Sequence, residues 1–219
     1  MQIQSIQTQN TFTSRNKPIP TEVFISALGK ITMREATSDH ILSVAKLIRR
    51  NERQSYKMSY FYGPGSAEAK EEYRQMNKYQ WLKDIKEYLI NMLSKPDGNS
   101  SLLVAVNENE KVIGYAAMSK LDKARGNIGI IEDIYLDYNY RNSNLGLYML
   151  HKITDSVQGF FNKVVAKGKA ISPNGQNAHL TYTSYGFKKL PTASKNVELL
   201  NANYPPAGKY FPEWFIKTL

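Results

Sequence analysis

The chain has 219 residues, of which 42% are hydrophobic and 22% charged, an ordinary globular composition that excludes a wholly disordered or collagen-like chain. Lys and Arg number 29 against 19 Asp and Glu, so the formal net charge is +10. A basic balance can indicate nucleic acid, an anionic membrane or a phosphate-bearing cofactor as a partner, or no more than solubility. The absence of cysteine excludes disulfides, thiolate metal sites and cysteine nucleophiles. No apolar run reaches the roughly 18 residues that span a bilayer, and the opening stretch lacks the hydrophobic region of a secretory signal. We therefore expect a cytoplasmic protein, although an uncleaved export signal would leave no such trace.

The first half of the chain predicts one strand followed by helices. Met1–Pro20 is rich in Gln, Thr, Asn and Ser, and we interpret residues 1–30 as an N-terminal extension and residues 31–219 as a single domain. The predicted elements of this half, from alternation, helical spacing and turn residues, are a strand at Ile31–Ala36, a helix from Ile41, a Gly-Pro loop at Tyr60–Gly65 and one long helix at Ala67–Leu93.

The second half predicts short strands alternating with helices around a central hairpin. The predicted elements are a hairpin of Leu102–Val106 with Val112–Met118, a strand at Ile128–Leu136, a helix from Leu145 to Val157, a strand at Lys163–Ala166, a helix at Asn177–Tyr185, a strand at Phe187–Leu190, an irregular tail over Pro191–Pro212 and a last strand at Trp214–Lys217. This order predicts a mixed α/β (α+β) protein and not a repeated strand–helix–strand alternation.

The junction after the strand Ile128–Leu136 is the most informative segment. A buried strand runs into a loop that opens directly onto a helix, so several backbone N–H groups point at one place with the helix dipole behind them, which is typical of an anion site. Gly146 and Asn144 are residues that tolerate positive φ, as a loop that wraps a phosphate requires. Arg141 adds a forked cation at the start of the loop.

Two segments resemble motifs of one enzyme family. Residues 141–146, Arg-Asn-Ser-Asn-Leu-Gly, resemble the Arg/Gln-x-x-Gly-x-Gly/Ala acyl-CoA pyrophosphate loop of the GNAT N-acetyltransferases, with Asn144 in place of the first glycine. Residues 174–187 are similar to the family's Asn-x-x-Ala-x-x-x-Tyr-x-x-x-Gly-Phe element. The resemblance implies a GNAT-like fold, in which a mixed, mostly antiparallel central sheet is flanked by helices on both faces.

The resemblance also implies transfer of an acetyl group from acetyl-CoA to an amine by direct attack. Glu132 stands at the family position of the base, and strand alternation predicts that its neighbour Asp133 points to the opposite face. Tyr182 matches the general-acid tyrosine, although a phenol that gives its proton fully to a thiolate needs a depressed pKa, whereas a hydrogen bond does not. From the residues alone, Glu132 could equally be a strand carboxylate paired with a basic side chain, and Tyr182 a core aromatic.

The implied cofactor is acetyl-CoA, without a metal, since no carboxylate–histidine spacing suggests a metal site. The residues implied to bind acetyl-CoA are Ile134, Tyr135, Leu136, Arg141, Asn142, Ser143, Asn144, Leu145, Gly146, Leu147, Asn174 and Asn177. For Asn174 and Asn177, turn and N-cap chemistry before the last helix is the alternative.

Other functions and partners stay open at this point. One alternative function is a non-catalytic acyl-CoA-binding or regulatory module, and another is acetylation of the amino group of an aminoacyl-tRNA. Nucleic-acid binding ranks lower because no block of five or six like charges occurs. The acceptor amine and the oligomeric state, a homodimer included, cannot be read from the sequence.

Overall fold

The computed structural model describes residues 19–62, 67–94, 100–121, 127–141, 143–168, 178–203 and 213–219. Its strands are β1 (Glu22–Ser26), β2 (Gly29–Glu35), β3 (Ser100–Asn107), β4 (Val112–Lys120), β5 (Ile128–Leu136), β6 (Lys163–Gly168), β7 (Lys188–Lys189) and β8 (Glu213–Thr218). They form one eight-stranded sheet in the order β1-β2-β3-β4-β5-β6-β8-β7. Every neighbouring pair is antiparallel except β5 and β6, which are parallel. The expected mixed, mostly antiparallel sheet is confirmed.

Helices cover both faces of the sheet. They are α1 (Ile41–Tyr62), α2 (Ala67–Gln75), α3 (Tyr79–Leu93), α4 (Leu145–Asp155), α5 (Ala178–Ser184) and α6 (Lys195–Asn203). Helix α4 packs on one face, where its Met149 belongs to the same core cluster as Ala116 and Met118 of β4. Helices α1 and α3 pack on the other face, against the alternate β4 residues Tyr115 and Ala117.

The two central strands are buried on both faces. All residues of β4 from Val112 to Ser119 are buried, and in β3 the residues from Ser101 to Val106 are. This two-sided cover explains why the hairpin is uniformly apolar in sequence and lacks the alternation of a half-exposed strand.

The structure adds one strand that the sequence analysis did not predict. Strand β1 pairs antiparallel with β2 at the edge of the sheet, inside the segment 1–30 that we interpreted as an extension. Its Phe24 ring packs against the Tyr148 ring of α4, with the ring centroids 4.8 Å apart, while Val23 and Ile25 are exposed. A five-residue edge strand with exposed apolar side chains carries little pattern.

The helical prediction was wrong in three places. Helix α1 continues to Tyr62, so the aromatic stretch from Tyr60 begins in a helix and not in a loop. The long helix predicted over Ala67–Leu93 is two helices, and the guanidinium of Arg49 holds the break by donating to the Met76 carbonyl at 2.7 Å. Part of the predicted irregular tail is α6, in which Val197 and other apolar residues pack on the β6–β8 end of the sheet.

Candidate active site

Strand β5 carries one extra residue in its centre. Ala117 of β4 lies opposite Asp133 and the next residue, Met118, lies opposite Ile131, so Glu132 has no residue opposite it on β4. Such a β-bulge bends the strand and breaks the alternation of its side chains. Side-chain directions on either side of Glu132 therefore do not follow from counting along the strand.

Strands β5 and β6 separate at the same place. Their parallel pairing joins residues 128–131 to residues 163–166, while β5 continues to Leu136 and β6 to Gly168. Within the described residues, no strand pairs with β5 on this side beyond residue 131. A cleft thus opens in the sheet at the bulge, and the edge of β5 along it can bind an extended chain that carries amide groups.

The bulge turns two carboxylates toward the same face. The Ser119 hydroxyl donates a hydrogen bond to Glu132 at 2.5 Å, and the Tyr115 hydroxyl donates to Asp133 at 3.4 Å. Because Tyr115 and Ser119 are four residues apart in a stretch of β4 without a bulge, both lie on the face covered by α1 and α3. The expectation that Asp133 points to the opposite face was wrong, and the bulge is the reason.

A third carboxylate comes from α1. Tyr135 of β5 donates a hydrogen bond to Glu52, and its ring lies parallel to that of Tyr115, with the centroids 6.0 Å apart. Burial, and then the negative charge of Asp133, raises the pKa of both tyrosines, so both hydroxyls stay protonated donors. Glu52, Glu132 and Asp133 together are called the acidic face below.

Tyr182 lies in the core on the other face of the sheet. Its ring is buried and packs against Phe187 and Phe215, each at 5.5 Å between centroids. Burial, and next the charge of Asp133, raises the pKa of Tyr182. The depressed pKa that full proton transfer to a thiolate needs is thus absent, and the hydroxyl is suited to donating a hydrogen bond.

In the loop before α4, Asn144 has the left-handed backbone conformation that an asparagine tolerates. Asn144 adopts the left-handed conformation, with φ 60° and ψ 1°, and its side chain makes no capping hydrogen bond. The amides of residues 145–147, in the first turn of α4, have no acceptor inside the helix. The loop is stabilised by Ser143, whose hydroxyl donates a hydrogen bond to the carbonyl of Tyr140 at 2.6 Å.

Gly146 does not use the positive φ that a glycine tolerates. It is the second residue of α4, where the backbone must be helical. A Cβ on Gly146 would lie 3.4 Å from Cδ1 of Leu136, which is ordinary contact. Only Asn144 therefore uses the left-handed conformation in the described part of this loop.

Arg141 is held against α1 and does not extend freely into the loop. Its guanidinium donates a hydrogen bond to the side chain of Asn51 and lies 5.5 Å from the centre of the Tyr138 ring. Sequence reasoning missed both Asn51 and Glu52. The one available signal was that Asn51, a polar residue, follows Leu47 and Ile48 at the helical spacing of the apolar stripe.

The remaining site residues are divided between core and undescribed segments. Ile134 and Leu136 pack on the α4 side of the sheet, and Leu145 is fully buried there. The residues that lie outside the described part of the chain are Asn142, Asn174 and Asn177.

The described residues include no candidate metal site and no helix that could cross a membrane. Residues 19–62, 67–94, 100–121, 127–141, 143–168, 178–203 and 213–219 contain no group of three or more His, Asp or Glu side chains that could hold a metal ion. None of the helices in these ranges is both long enough and apolar enough to cross a membrane.

Known proteins match the chain in family and in fold. The sequence model of the Acetyltransferase (GNAT) family matches residues 66–187. A GNAT-family acetyltransferase of Staphylococcus aureus Mu50 is similar in structure, with a TM-score of 0.56 at 15% identity over 86% of this chain and 99% of that chain. The GNAT domain of S. lividans PAT gives a TM-score of 0.57 at 11% identity over 91% of this chain and 97% of that domain.

A third similar structure contains coenzyme A. The PaiA N-acetyltransferase of Thermoplasma acidophilum, solved in complex with coenzyme A, gives a TM-score of 0.53 at 16% identity over 86% of this chain and 99% of that chain. No curated protein sequence matches the chain. These identities indicate a shared fold, and the family match covers more than half of the chain. The chain belongs to the GNAT acetyltransferase family.

Proposed function

We propose that the protein transfers the acetyl group of acetyl-CoA directly to a primary amine of a small molecule or of a protein. The family is acetyl-CoA-dependent, and the acceptor is the part that this chain's own residues must specify. The observation that carries the proposal is the bulge at Glu132, which lies where β5 leaves β6 and turns two carboxylates to one side of the cleft.

The residues present fit acetyl-CoA. The first-turn amides of α4, which follow the left-handed Asn144, suit the pyrophosphate, since anions bind well at a helix N-terminus. The edge of β5 beyond residue 131 suits the amides of the pantetheine arm, with the backbone at Ile134 and Leu136 as partner. The PaiA relative was solved in complex with coenzyme A, which supports coenzyme A as the ligand and leaves its placement to these residues as our proposal. When bound, acetyl-CoA supplies an activated thioester.

The acidic face fits a cationic acceptor. A lysine-like amine has a pKa of about 10.4, so it arrives protonated at neutral pH and must lose a proton before it attacks. The carboxylates of Glu52, Glu132 and Asp133 attract the ammonium ion locally, although the chain as a whole carries a net charge of +10. Glu132 accepts the proton, directly or through one water, and Ser119 orients its carboxylate.

Two further groups stabilise negative charge during the transfer, one on the acetyl oxygen and one on the departing thiolate. The backbone N–H near Ile134, beside the bulge, stabilises the negative charge that develops on the acetyl oxygen. Tyr182 donates a hydrogen bond to the thiolate and keeps its own proton, because its pKa is raised. The amine nitrogen loses two protons in all, one to Glu132 before it attacks and a second once the N–C bond has formed. One of the two is released to solvent, and the other is balanced by the proton that the departing thiolate takes up from solvent to become the CoA thiol.

The test compares two isosteric variants that differ only in which carboxylate is lost. Release of the CoA thiol is measured with a panel of amines for the wild type, Glu132→Gln and Asp133→Asn, with Glu22→Gln on the distant strand β1 as the control. We expect Glu132→Gln to lower kcat/KM by about 10²- to 10⁴-fold, and Asp133→Asn to raise the KM for cationic amines with a smaller effect on kcat. The control keeps wild-type rates.

Two results would contradict the proposal. Wild-type activity in Glu132→Gln removes Glu132 as the base. Saturable CoA binding without turnover on any amine, including an aminoacyl-tRNA, favours a non-catalytic acyl-CoA-binding module.

A further inference from the structure

Asn51 is a polar side chain at an apolar position of α1. It follows a buried helical stripe formed by Ile41, Val44, Ala45, Leu47 and Ile48, and it is itself only 7% exposed. Its amide donates to the Leu47 carbonyl at 2.9 Å, and its side-chain oxygen accepts from the guanidinium of Arg141, 90 positions along the chain. A buried amide is costly unless both of its ends are hydrogen-bonded, and here Arg141 satisfies the oxygen.

Arg141 is consequently fixed from two sides. Its guanidinium bonds to Asn51 and lies over the Tyr138 ring at 5.5 Å. Partial burial lowers its pKa, but a guanidinium stays charged at any physiological pH. Among the residues that the structure describes, Asn51 accepts from one of its five N–H donors, and a guanidinium can donate to an anion through the others.

The residues on either side of Asn51 bind the same part of the molecule. Arg50 forms an ion pair with the buried Asp137 at 3.1 Å, and Glu52 accepts a hydrogen bond from Tyr135. Three successive residues of α1 therefore hold residues 135, 137 and 141, which form the end of β5 and the loop that leads to α4. Helix α1, and not the sheet alone, sets the position of this loop.

We propose that Asn51 is a positioning residue for acetyl-CoA binding, acting through the side chain of Arg141; this inference rests on the proposed function. A cation that is ordered before the ligand arrives loses little conformational entropy when it binds a phosphate. Without Asn51 the long Arg141 side chain must be ordered by the cofactor itself. Binding of the cofactor then weakens, while the chemistry that follows is unaffected.

A double-mutant cycle tests the coupling. The affinity for CoA is measured by isothermal titration calorimetry for the wild type, Asn51→Leu, Arg141→Gln and the double variant, with Asn51→Asp as the conservative change that keeps an acceptor for Arg141. We expect Asn51→Leu to weaken binding about three- to tenfold, Asn51→Asp to restore it to within about twofold, and Asn51→Leu to have no further effect in the Arg141→Gln background. In steady-state kinetics we expect Asn51→Leu to raise the KM for acetyl-CoA and to leave kcat at saturating acetyl-CoA unchanged.

The controls separate positioning from stability. Ile48→Val removes a buried methyl group one turn earlier on α1 and does not touch Arg141, so it should leave CoA affinity unchanged while lowering the unfolding midpoint. If Asn51→Leu does not fold, Asn51→Ser replaces it in the cycle, because a serine is too short to reach Arg141.

The inference is overturned if Asn51→Leu binds CoA as tightly as the wild type, or if the losses in the double variant multiply independently. It is equally overturned if Arg141→Gln binds CoA normally, in which case the proposed function stands. Failure of the wild type to bind CoA at all would instead contradict the proposed function.

Discussion

Replacement of Tyr182 by Phe tests whether burial lets this tyrosine act as an acid. The change removes one hydroxyl and keeps the ring that packs against Phe187 and Phe215. Because burial and the charge of Asp133 raise the pKa of Tyr182, the phenol does not release its proton to a thiolate whose own pKa is near 8.5. It can still donate a hydrogen bond to that thiolate.

The two roles predict different magnitudes. A hydrogen bond to a charged group contributes about 1.5–3 kcal/mol, which corresponds to a fall in kcat of about 10- to 150-fold in Tyr182→Phe. Full general-acid catalysis would contribute up to about 10⁴-fold and would add the titration of Tyr182 to the pH dependence of kcat. We therefore expect a fall in the lower range, with a pH profile of unchanged shape between about pH 6 and 10.

The assay is the pH dependence of kcat for the wild type and Tyr182→Phe at saturating acetyl-CoA, beside thermal unfolding of both proteins. Stability should change by less than about 1 kcal/mol, because the ring packing is retained. Wild-type kcat in Tyr182→Phe would mean that Tyr182 is only a core aromatic. Loss of an alkaline limb in the variant would refute our inference from its burial.

Three further predictions concern the fold. Asn144→Ala should lower the free energy of unfolding in urea by about 1 kcal/mol, because alanine adopts the left-handed conformation at a cost that glycine does not have, whereas Asn144→Gly should be nearly neutral; equal stability of the two variants would contradict this explanation. Gly168→Ala should destabilise by about 1–3 kcal/mol in calorimetry, since its Cβ would lie 2.6 Å from the fully buried Phe215 ring, and an unchanged Tm would show that the ring can move. Stability should fall as the pH rises above about 10, because Tyr115 and Tyr135 ionise there in the unfolded chain, whereas their raised pKa keeps them protonated in the folded protein. The measurement is the urea midpoint against pH for the wild type and Tyr115→Phe. A midpoint that falls equally steeply in both proteins would argue against a contribution of Tyr115.

The motifs and the spacing of apolar residues were sufficient to predict the family, and also the strand and helix that carry its first motif. Strand β5 has the bounds that the apolar run predicts, Ile128–Leu136, and α4 begins at Leu145 as expected. Asn144 has the left-handed backbone that its residue type permits. These features depend on neighbouring residues only, so the sequence contains all the information that they require.

The direction of the Asp133 side chain could not be predicted in the same way. Alternation along β5 assigns Glu132 and Asp133 to opposite faces, and that rule holds only in a strand without a bulge. The bulge exists because the pairing of β5 with β4 shifts by one residue, which is a property of two strands together. The acidic face is therefore a product of the sheet.

What the sequence determined by itself was the family, the order of most elements and the strand, loop and helix that we propose for cofactor binding. Only the tertiary structure determined which distant residues they bond to. Glu52 bonds to Tyr135 and Asn51 to Arg141, across 83 and 90 positions of the chain. The physical reason is that a hydrogen bond between distant segments depends on how α1 packs across the sheet, and no local spacing records that packing.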